Sequence, residues 1–304
     1  MKDNEYFDKK HRPKTLSSFF GNETAKARVK SFKKSLPSTI LLSGTTGCGK
    51  TTLARIIANK LKYEIIPFNV SHAGGIELAR HINETSKNAS MIAKGKAYIL
   101  NEMQGANKQC MNALLEVFEE PPKNTVFIIC TTEPQHLLSA VKTRPVIIEV
   151  EPLSQDEAIE LLRTISVKEN IDISERTMID IYNAADGIPR KMLIILNDIS
   201  QIKDKSLIPK IIDGYGFIGE GSKQAIDFAR AIYKKESFKV AMQKLREVKD
   251  PPYTIKMVVC NYASKILLNG KLDKQAVLIL EIFYRADVTI GMPAIVHATT
   301  ILYV

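Results

Sequence analysis

A glycine-rich stretch early in the chain has the residue types and the spacing needed to hold nucleotide phosphates. Residues 44–51 read GTTGCGKT, which matches the pattern G-x-x-x-x-G-K-[ST]. Glycines let the backbone curl so that its N–H groups point at one anion, and the start of a following helix adds positive potential. In this pattern Lys50 reaches the β- and γ-phosphates and Thr51 binds Mg²⁺. The spacing therefore predicts an ATP site formed by Gly44, Thr45, Thr46, Gly47, Cys48, Gly49, Lys50, Thr51 and Thr52.

A polar pair at the end of the apolar run AYILN (97–101) could supply the other half of such a site. Hydrolases with this loop usually carry an Asp here that steadies Mg²⁺, and in one large branch a following Glu orients the attacking water. Here Asn101 takes the first place and Glu102 the second. The amide oxygen of Asn101 still accepts hydrogen bonds, but losing the charge costs on the order of 1 kcal/mol. We expect weakened Mg²⁺ binding and retained hydrolysis, with a purely structural nucleotide site as the alternative.

Elements that would position these groups can be read from the apolar runs. Strands that are apolar on both faces and are separated by helix-length segments indicate a parallel sheet covered by helices. Between the third and fourth runs, Met111, Leu114, Leu115 and Phe118 have helical spacing, and Pro121 follows them. The sequence therefore predicts a doubly wound α/β domain with a five-stranded parallel sheet, whose strands fall at 39–44, 64–70, 97–101, 126–132 and 146–150.

Beyond residue 152 the strand pattern gives way to helical periodicity. Ser154 followed by Glu157 is typical of a capping box that starts a helix, and Pro189 suits the first turn of another. A glycine-containing stretch at 205–221 has little clear period and is interpreted as a linker. These features predict three domains: an α/β domain at 1–152, a small helical domain at 153–204, and an all-helical domain at 205–304.

Composition narrows the class of protein without defining its function. Lys and Arg outnumber Asp and Glu by 43 to 33, and the net charge of +10 favours attraction to a polyanion without establishing it. The four cysteines never form a C-x-x-C pair, which argues against a zinc module and a disulfide framework. No apolar run approaches the ~18–20 residues that span a bilayer, and the N-terminus lacks the apolar segment of a secretion signal. We expect a cytoplasmic protein with no membrane partner.

Six stretches along the first two-thirds of the chain read KKHRPKTLSSFFGNE (9–23), LLSGTTGCGKTTLARIIANKL (41–61), AYILNE (97–102), NALLEVFEEPP (112–122), FIICTTEPQHLL (127–138) and AADGIPRK (184–191). Taken in order, they resemble the AAA+ sliding-clamp loader ATPases, most closely the bacterial DNA polymerase III gamma/tau type. The resemblance implies an AAA+ P-loop domain followed by a helical lid and a helical collar. Gamma/tau proteins carry a zinc module after the first helix, and NKLKYEIIPFNV passes this point without cysteines, which would suit a viral replication system as readily as a cellular one.

The resemblance also implies roles for residues outside the phosphate loop. Arg12, Pro13 and Gly21 match the N-terminal segment that lies against adenine. Thr131, with Thr132 as the neighbouring candidate, resembles the sensor that contacts the γ-phosphate or the attacking water. Arg190 matches the lid arginine that touches the γ-phosphate.

Two further features follow from the same family pattern. Thr143-Arg144-Pro145 stands where the family has Ser-Arg-Cys, so Arg144 resembles the finger that acts in trans on a neighbouring subunit's ATP. Pro145 departs from the pattern. For DNA, Lys87, Lys94 and Lys108 are candidate phosphate contacts, insensitive to base sequence.

Taken together, the resemblance implies an ATPase subunit that opens a sliding clamp and loads it on primer-template DNA. Its partners would be the clamp, the DNA and other loader subunits in a pentameric assembly, and its cofactors ATP and Mg²⁺. The implied catalytic groups are Lys50, Glu102, Thr131 and Arg144. Two alternatives stay open, namely an ATP-binding scaffold subunit with weak hydrolysis and another AAA+ DNA motor such as a branch-migration ATPase.

Overall fold

The chain forms two compact units, Met1–Lys203 and Asp204–Val304, which are described separately. The computed structural model describes residues 5–32, 36–73, 75–88, 90, 92–202, 204–215, 223–268, 270 and 272–304. Dividing the first unit into an ATPase domain and a lid at residue 152 remains a prediction.

Five parallel strands within the described part of the first unit make one sheet, in the order β2-β3-β4-β1-β5. The predicted α/β fold with a five-stranded parallel sheet is therefore confirmed. Each observed strand lies within one residue of its predicted start and end. The strands are β1 (Thr39–Ser43), β2 (Glu64–Asn69), β3 (Lys96–Asn101), β4 (Thr125–Thr131) and β5 (Val146–Glu149).

Helices cover the sheet and continue beyond it within the first unit. The capping box predicted at residue 154 is present: the Ser154 N–H donates to the Glu157 carboxylate at 2.9 Å, and the Glu157 N–H donates to the Ser154 hydroxyl. The helices are α1 (Phe7–Lys10), α2 (Glu23–Ser31), α3 (Lys50–Leu61), α4 (Val70–Ala73), α5 (Ile76–Lys87), α6 (Lys108–Glu119), α7 (Ser139–Thr143), α8 (Gln155–Glu169), α9 (Glu175–Ala185) and α10 (Pro189–Ser200).

Alternate residues of each inner strand pack into different layers of the core. Leu42 of β1 is buried with Leu53 of α3, whereas Leu41 is buried on the opposite face with Ile82 of α5 and Leu114 of α6. Full burial of each such side chain contributes about 1.5–3 kcal/mol. Burial on both faces explains why the strands read as continuous apolar runs.

The second unit is helical throughout its described part and has a core of its own that includes Phe228, Ile255 and Phe283. Interpreting 205–221 as a linker is wrong for 205–215, which form a 3-10 turn (Lys205–Leu207) and a helix, while the rest of that stretch lies outside the described residues. The missed signal is the i, i+3, i+4 spacing of Ile208, Ile211 and Ile212. The helices are α11 (Ile208–Tyr215), α12 (Lys223–Tyr233), α13 (Phe238–Glu247), α14 (Pro252–Leu268), α15 (Lys274–Arg285) and α16 (Met292–Tyr303).

Within the described ranges, we find no helix with the length and apolarity that crossing a bilayer requires.

Candidate functional site

The phosphate-binding loop connects β1 to α3, which is the structural context its motif requires. Gly44 has a φ of +144°, and a Cβ there would lie 2.1 Å from the Val150 carbonyl oxygen, so only glycine fits at this position. Lys50 is the first residue of α3, so the positive end of the helix faces the loop. The loop therefore presents backbone N–H groups and a lysine at one place.

Lys50 is buried within the loop that precedes it, with 7% of its surface exposed. Its Nζ donates to the carbonyl oxygens of Gly44 at 2.8 Å and Thr45 at 2.9 Å. Burial lowers the pKa of Lys50, and the negative charge of Glu102 partly opposes this effect. An ammonium removed from water interacts more strongly with a nearby phosphate than an exposed one does.

Thr51 and Asn101 meet across the site. The Thr51 hydroxyl donates to the Asn101 side-chain oxygen at 2.7 Å. The Asn101 amide nitrogen faces the Phe68 carbonyl oxygen at 3.5 Å, which leaves the amide oxygen directed at Thr51. Hydroxyl and amide oxygens are hard ligands of the kind that Mg²⁺ prefers, so these two residues fit the metal that the loop motif implies.

The sheet order places a third strand between the two that carry these groups. β4 pairs with both β1 and β3, and its last residue, Thr131, lies opposite Ser43. Glu102 follows β3 with a φ of 55°, an uncommon left-handed conformation for a residue other than glycine. Lys50, Asn101, Glu102 and Thr131 thus lie at the carboxyl edge of one sheet.

Gln104 joins the groups that follow β3 and β4. Its Nε2 donates to the Glu102 carboxylate and to the Thr132 hydroxyl, the latter at 2.9 Å. Its Oε1 accepts from the Thr131 hydroxyl at 2.9 Å. Thr131 is fully buried, so it reaches the site through Gln104. Sequence analysis missed Gln104, although a polar residue two positions after Glu102 was an available signal.

Helix α10 closes the site from the side of the predicted lid. The backbone N–H of Arg190 donates to the Gly47 carbonyl oxygen at 3.4 Å. Gly47 has a φ of +88°, and a Cβ there would lie 2.8 Å from Ile188 Cγ2. The loop and the start of α10 therefore approach so closely that a side chain at position 47 would separate them.

The loop, Glu102 and α10 line a cavity of about 580 Å³, a size typical of small-molecule sites. Cys130, at the end of β4, also lines it, and burial raises the pKa of its thiol to about 12. The cavity brings together most of the predicted site residues, namely Arg12, Pro13, Thr46, Gly47, Cys48, Gly49, Lys50, Thr51, Thr52, Glu102 and Arg190.

The N-terminal segment is tied to helix α8 beside this cavity. His11 Nε2 lies 2.6 Å and Lys10 Nζ 2.7 Å from the carboxylate of Glu169. The hydrogen bond from Lys10, followed by that from His11, lowers the pKa of Glu169. Gly21 does not line the cavity. It packs against Leu153 so closely that a Cβ at position 21 would lie 2.6 Å from Leu153 Cδ2. The contacts of Lys10 and His11 with Glu169 were not predicted from the sequence, because these residues are far apart in the chain.

Arg144 lies outside the cavity lining in the part of the chain that the structure describes. It follows α7 and forms an ion pair with Glu119, the last residue of α6. Its side chain is 35% exposed. The structure therefore does not bring Arg144 into the site of its own chain.

The three lysines predicted to contact DNA are exposed and are not gathered into one patch. Lys87 ends α5 near the start of β3, and the Lys94 N–H donates to the Lys62 carbonyl oxygen beside the start of β2. Lys108 begins α6, which follows the carboxyl end of β3, so it lies at the other end of that strand from Lys87 and Lys94. DNA contact by these residues stays a prediction.

The chain is similar in sequence to proteins named as DNA replication factors and polymerase subunits. A family model described as DNA polymerase III, delta subunit, matches residues 62–154. The replication factor C large subunit of Methanococcus aeolicus is 23% identical over 93% of this chain and 60% of its own length. The DNA polymerase III subunit gamma of Buchnera aphidicola is 25% identical over 66% of this chain and 62% of its own. The chain thus spans about 60% of the length of these relatives.

Solved structures agree on the fold. The Thermotoga maritima RuvB Holliday junction branch migration motor superposes with a TM-score of 0.60 at 19% identity, over 87% of this chain and 93% of that one. The fold and the phosphate-binding site define an AAA+ protein of the ATPase class. The relatives named replication factor C and DNA polymerase III subunit gamma confirm the resemblance to the clamp-loader AAA+ ATPases that the sequence indicated.

Proposed function

We propose that this chain is an ATP-hydrolysing subunit of a DNA sliding-clamp loader, which opens the clamp and places it on primer-template DNA. The observation that supports this most is the convergence of the phosphate loop, Glu102 and Arg190 on one cavity. Relatives named replication factor C and DNA polymerase III gamma favour the loader among AAA+ functions.

In this proposal ATP binds with its phosphates against residues 44–52 and its adenine near Arg12 and Pro13. Lys50 pairs with the β- and γ-phosphates. Thr51 and Asn101 hold Mg²⁺, which when bound neutralises charge on the phosphates. Gly21 acts indirectly, by letting the N-terminal segment pack against Leu153.

Hydrolysis would depend on the groups that follow β3 and β4. The Glu102 carboxylate accepts a hydrogen bond from an O–H of the attacking water and so orients it. Thr131 senses the γ-phosphate, and Arg190 transmits its presence to the lid through α10. Because the Arg190 N–H bonds to Gly47 in the loop, a shift at the phosphates is passed directly to the lid.

In this proposal, neighbouring subunits complete each other's ATP sites and assemble around DNA. Arg144 stabilises charge at the next subunit's ATP, consistent with its position outside the cavity of its own chain. Residues 205–304 assemble the subunits into a pentamer. Lys87, Lys94 and Lys108 supply salt-sensitive contacts to DNA phosphates.

One observation favours a second candidate, an ATP-binding scaffold subunit that hydrolyses slowly. Asn101 is neutral, and its oxygen is already engaged by Thr51 at 2.7 Å. A weaker hold on Mg²⁺ would slow turnover while leaving the grip of Lys50 on the phosphates in place.

Steady-state ATP turnover by the full chain, with its partner subunits, a clamp and primed DNA, tests the proposal. Turnover that the clamp and DNA stimulate, and that Glu102→Gln reduces to a small residual rate while ATP binding persists, is expected. Glu116→Gln, an exposed change on α6, is the matched control and should leave turnover intact. Binding without turnover would establish the scaffold, and ATP-driven branch migration without clamp stimulation would establish a motor.

A further inference from the structure

Gln104 was given no role of its own in the function proposed above, yet its side chain forms hydrogen bonds with three groups at the site. It lies in the 3-10 turn Met103–Gly105 that follows Glu102. Through one amide it contacts the carboxylate of Glu102 and the hydroxyls of Thr131 and Thr132. These groups come from two different strand ends, β3 and β4.

We propose that Gln104 is a positioning residue that fixes the Glu102 carboxylate relative to the end of β4. This inference rests on the proposed function, because it takes Glu102 as the group that orients water. Gln104 Nε2 bonds only one carboxylate oxygen, Oε2, and so leaves Oε1 available to accept from water. Glu102 itself lines the nucleotide cavity.

The contacts require an amide rather than any polar side chain. Oε1 accepts from Thr131, whose oxygen in turn accepts from the Glu133 N–H at 3.1 Å, so the Thr131 hydrogen is directed at Gln104. Nε2 then faces Glu102, which as a carboxylate can only accept. A carboxylate at position 104 would keep the length of the side chain, lose both donated bonds, and place a second negative charge against Glu102.

The effect should fall on turnover and not on binding. Gln104 lies outside the cavity lining in the described part of the chain, whereas Lys50 and Thr51, which would bind the phosphates and metal, line it. Misplacement of a catalytic group by about 1 Å can cost 10²-fold in rate. Loss of the amide should therefore lower kcat about 10–100-fold with KM for ATP unchanged.

Three variants of the full chain test this in the stimulated ATPase assay, with thermal unfolding recorded for each. Gln104→Leu removes the hydrogen bonds at similar volume, and Gln104→Glu keeps the length without the donor. Gln109→Leu, at an exposed position on α6, is the matched control. We expect a 10–100-fold lower kcat for both changes at position 104, unchanged KM, and wild-type values for the control.

A double variant separates positioning from general damage. If Gln104 acts through Glu102, adding Gln104→Leu to Glu102→Gln should not lower the single-turnover rate further. Wild-type kcat in Gln104→Leu, a raised kcat, or a further loss in the double variant would overturn the inference while the proposed function stands. A wild-type chain that binds ATP without turnover would overturn the proposed function and this inference with it.

Discussion

The Thr51 hydroxyl donates a hydrogen bond of 2.7 Å to the side-chain oxygen of Asn101. This contact joins the first turn of α3 to the end of β3. It brings together two uncharged oxygen atoms that we propose hold Mg²⁺. Asn101→Asp should restore that charge and strengthen Mg²⁺ binding by on the order of 1 kcal/mol, about fivefold in affinity. A Mg²⁺ titration of ATP binding and turnover measures the effect.

Asn107→Asp is the control for that change, since it adds the same charge at the N-cap of α6, where Asp and Asn cap equally well. The control should leave the Mg²⁺ dependence unchanged. Identical Mg²⁺ titrations for Asn101→Asp and the wild type would show that Asn101 does not contact the metal shell.

Gly47→Ala should weaken both ATP binding and folding. The φ of +88° disfavours any side chain, by roughly 1–2 kcal/mol, and the new methyl would meet Ile188 Cγ2 at 2.8 Å. Gly214→Ala is the control, because a Cβ there meets nothing within 4 Å. Calorimetry with ATP and thermal unfolding check both. Equal ATP affinity in Gly47→Ala and the wild type would contradict the tight loop–α10 contact.

Arg144→Ala should leave ATP binding by the isolated chain unchanged and lower turnover of the assembly. Arginine fingers contribute about 10³-fold or more to phosphoryl transfer, and this arginine lies outside the cavity of its own chain. Arg80→Ala, which removes an exposed arginine paired with Glu77, is the matched control. Turnover of the assembly at the wild-type rate would exclude Arg144 as the finger.

Glu169→Gln should reduce stability in a pH-dependent way. Lys10 and His11 hold the pKa of Glu169 below its ordinary value, so its contribution is fully present above about pH 5 and is lost as the pH falls through the lowered pKa. The free energy of unfolding should drop by about 1 kcal/mol or less near pH 7. Urea denaturation near pH 7 and at a pH below the lowered pKa measures this change in the free energy of unfolding.

At a pH below the lowered pKa, the wild type and Glu169→Gln should unfold alike. Glu160→Gln, an exposed change on the same helix α8, should have no effect at either pH. A difference between the wild type and Glu169→Gln that persists undiminished in acid would exclude an electrostatic origin.

Local chemistry made much of this protein predictable. The three inner strands are continuous apolar runs because both of their faces are buried, and the capping box at Ser154 marks a helix start by its own hydrogen bonds. The linker prediction was wrong at 205–215, because Ile208, Ile211 and Ile212 have the apolar spacing of a helix although the stretch contains glycines. Patterns among residues adjacent in the chain predicted helices and strands correctly where no second pattern competed with them.

The sequence by itself determined the phosphate loop, the polar pair Asn101-Glu102 and the α/β class, because each depends on residues adjacent in the chain. Only the tertiary structure decided that β4 lies between β1 and β3, that Gln104 joins Glu102 to Thr131, and that Arg144 pairs with Glu119 and does not line the cavity of its own chain. Strand order is set by how helices cross over the sheet to bury both faces, and no residue encodes that choice locally.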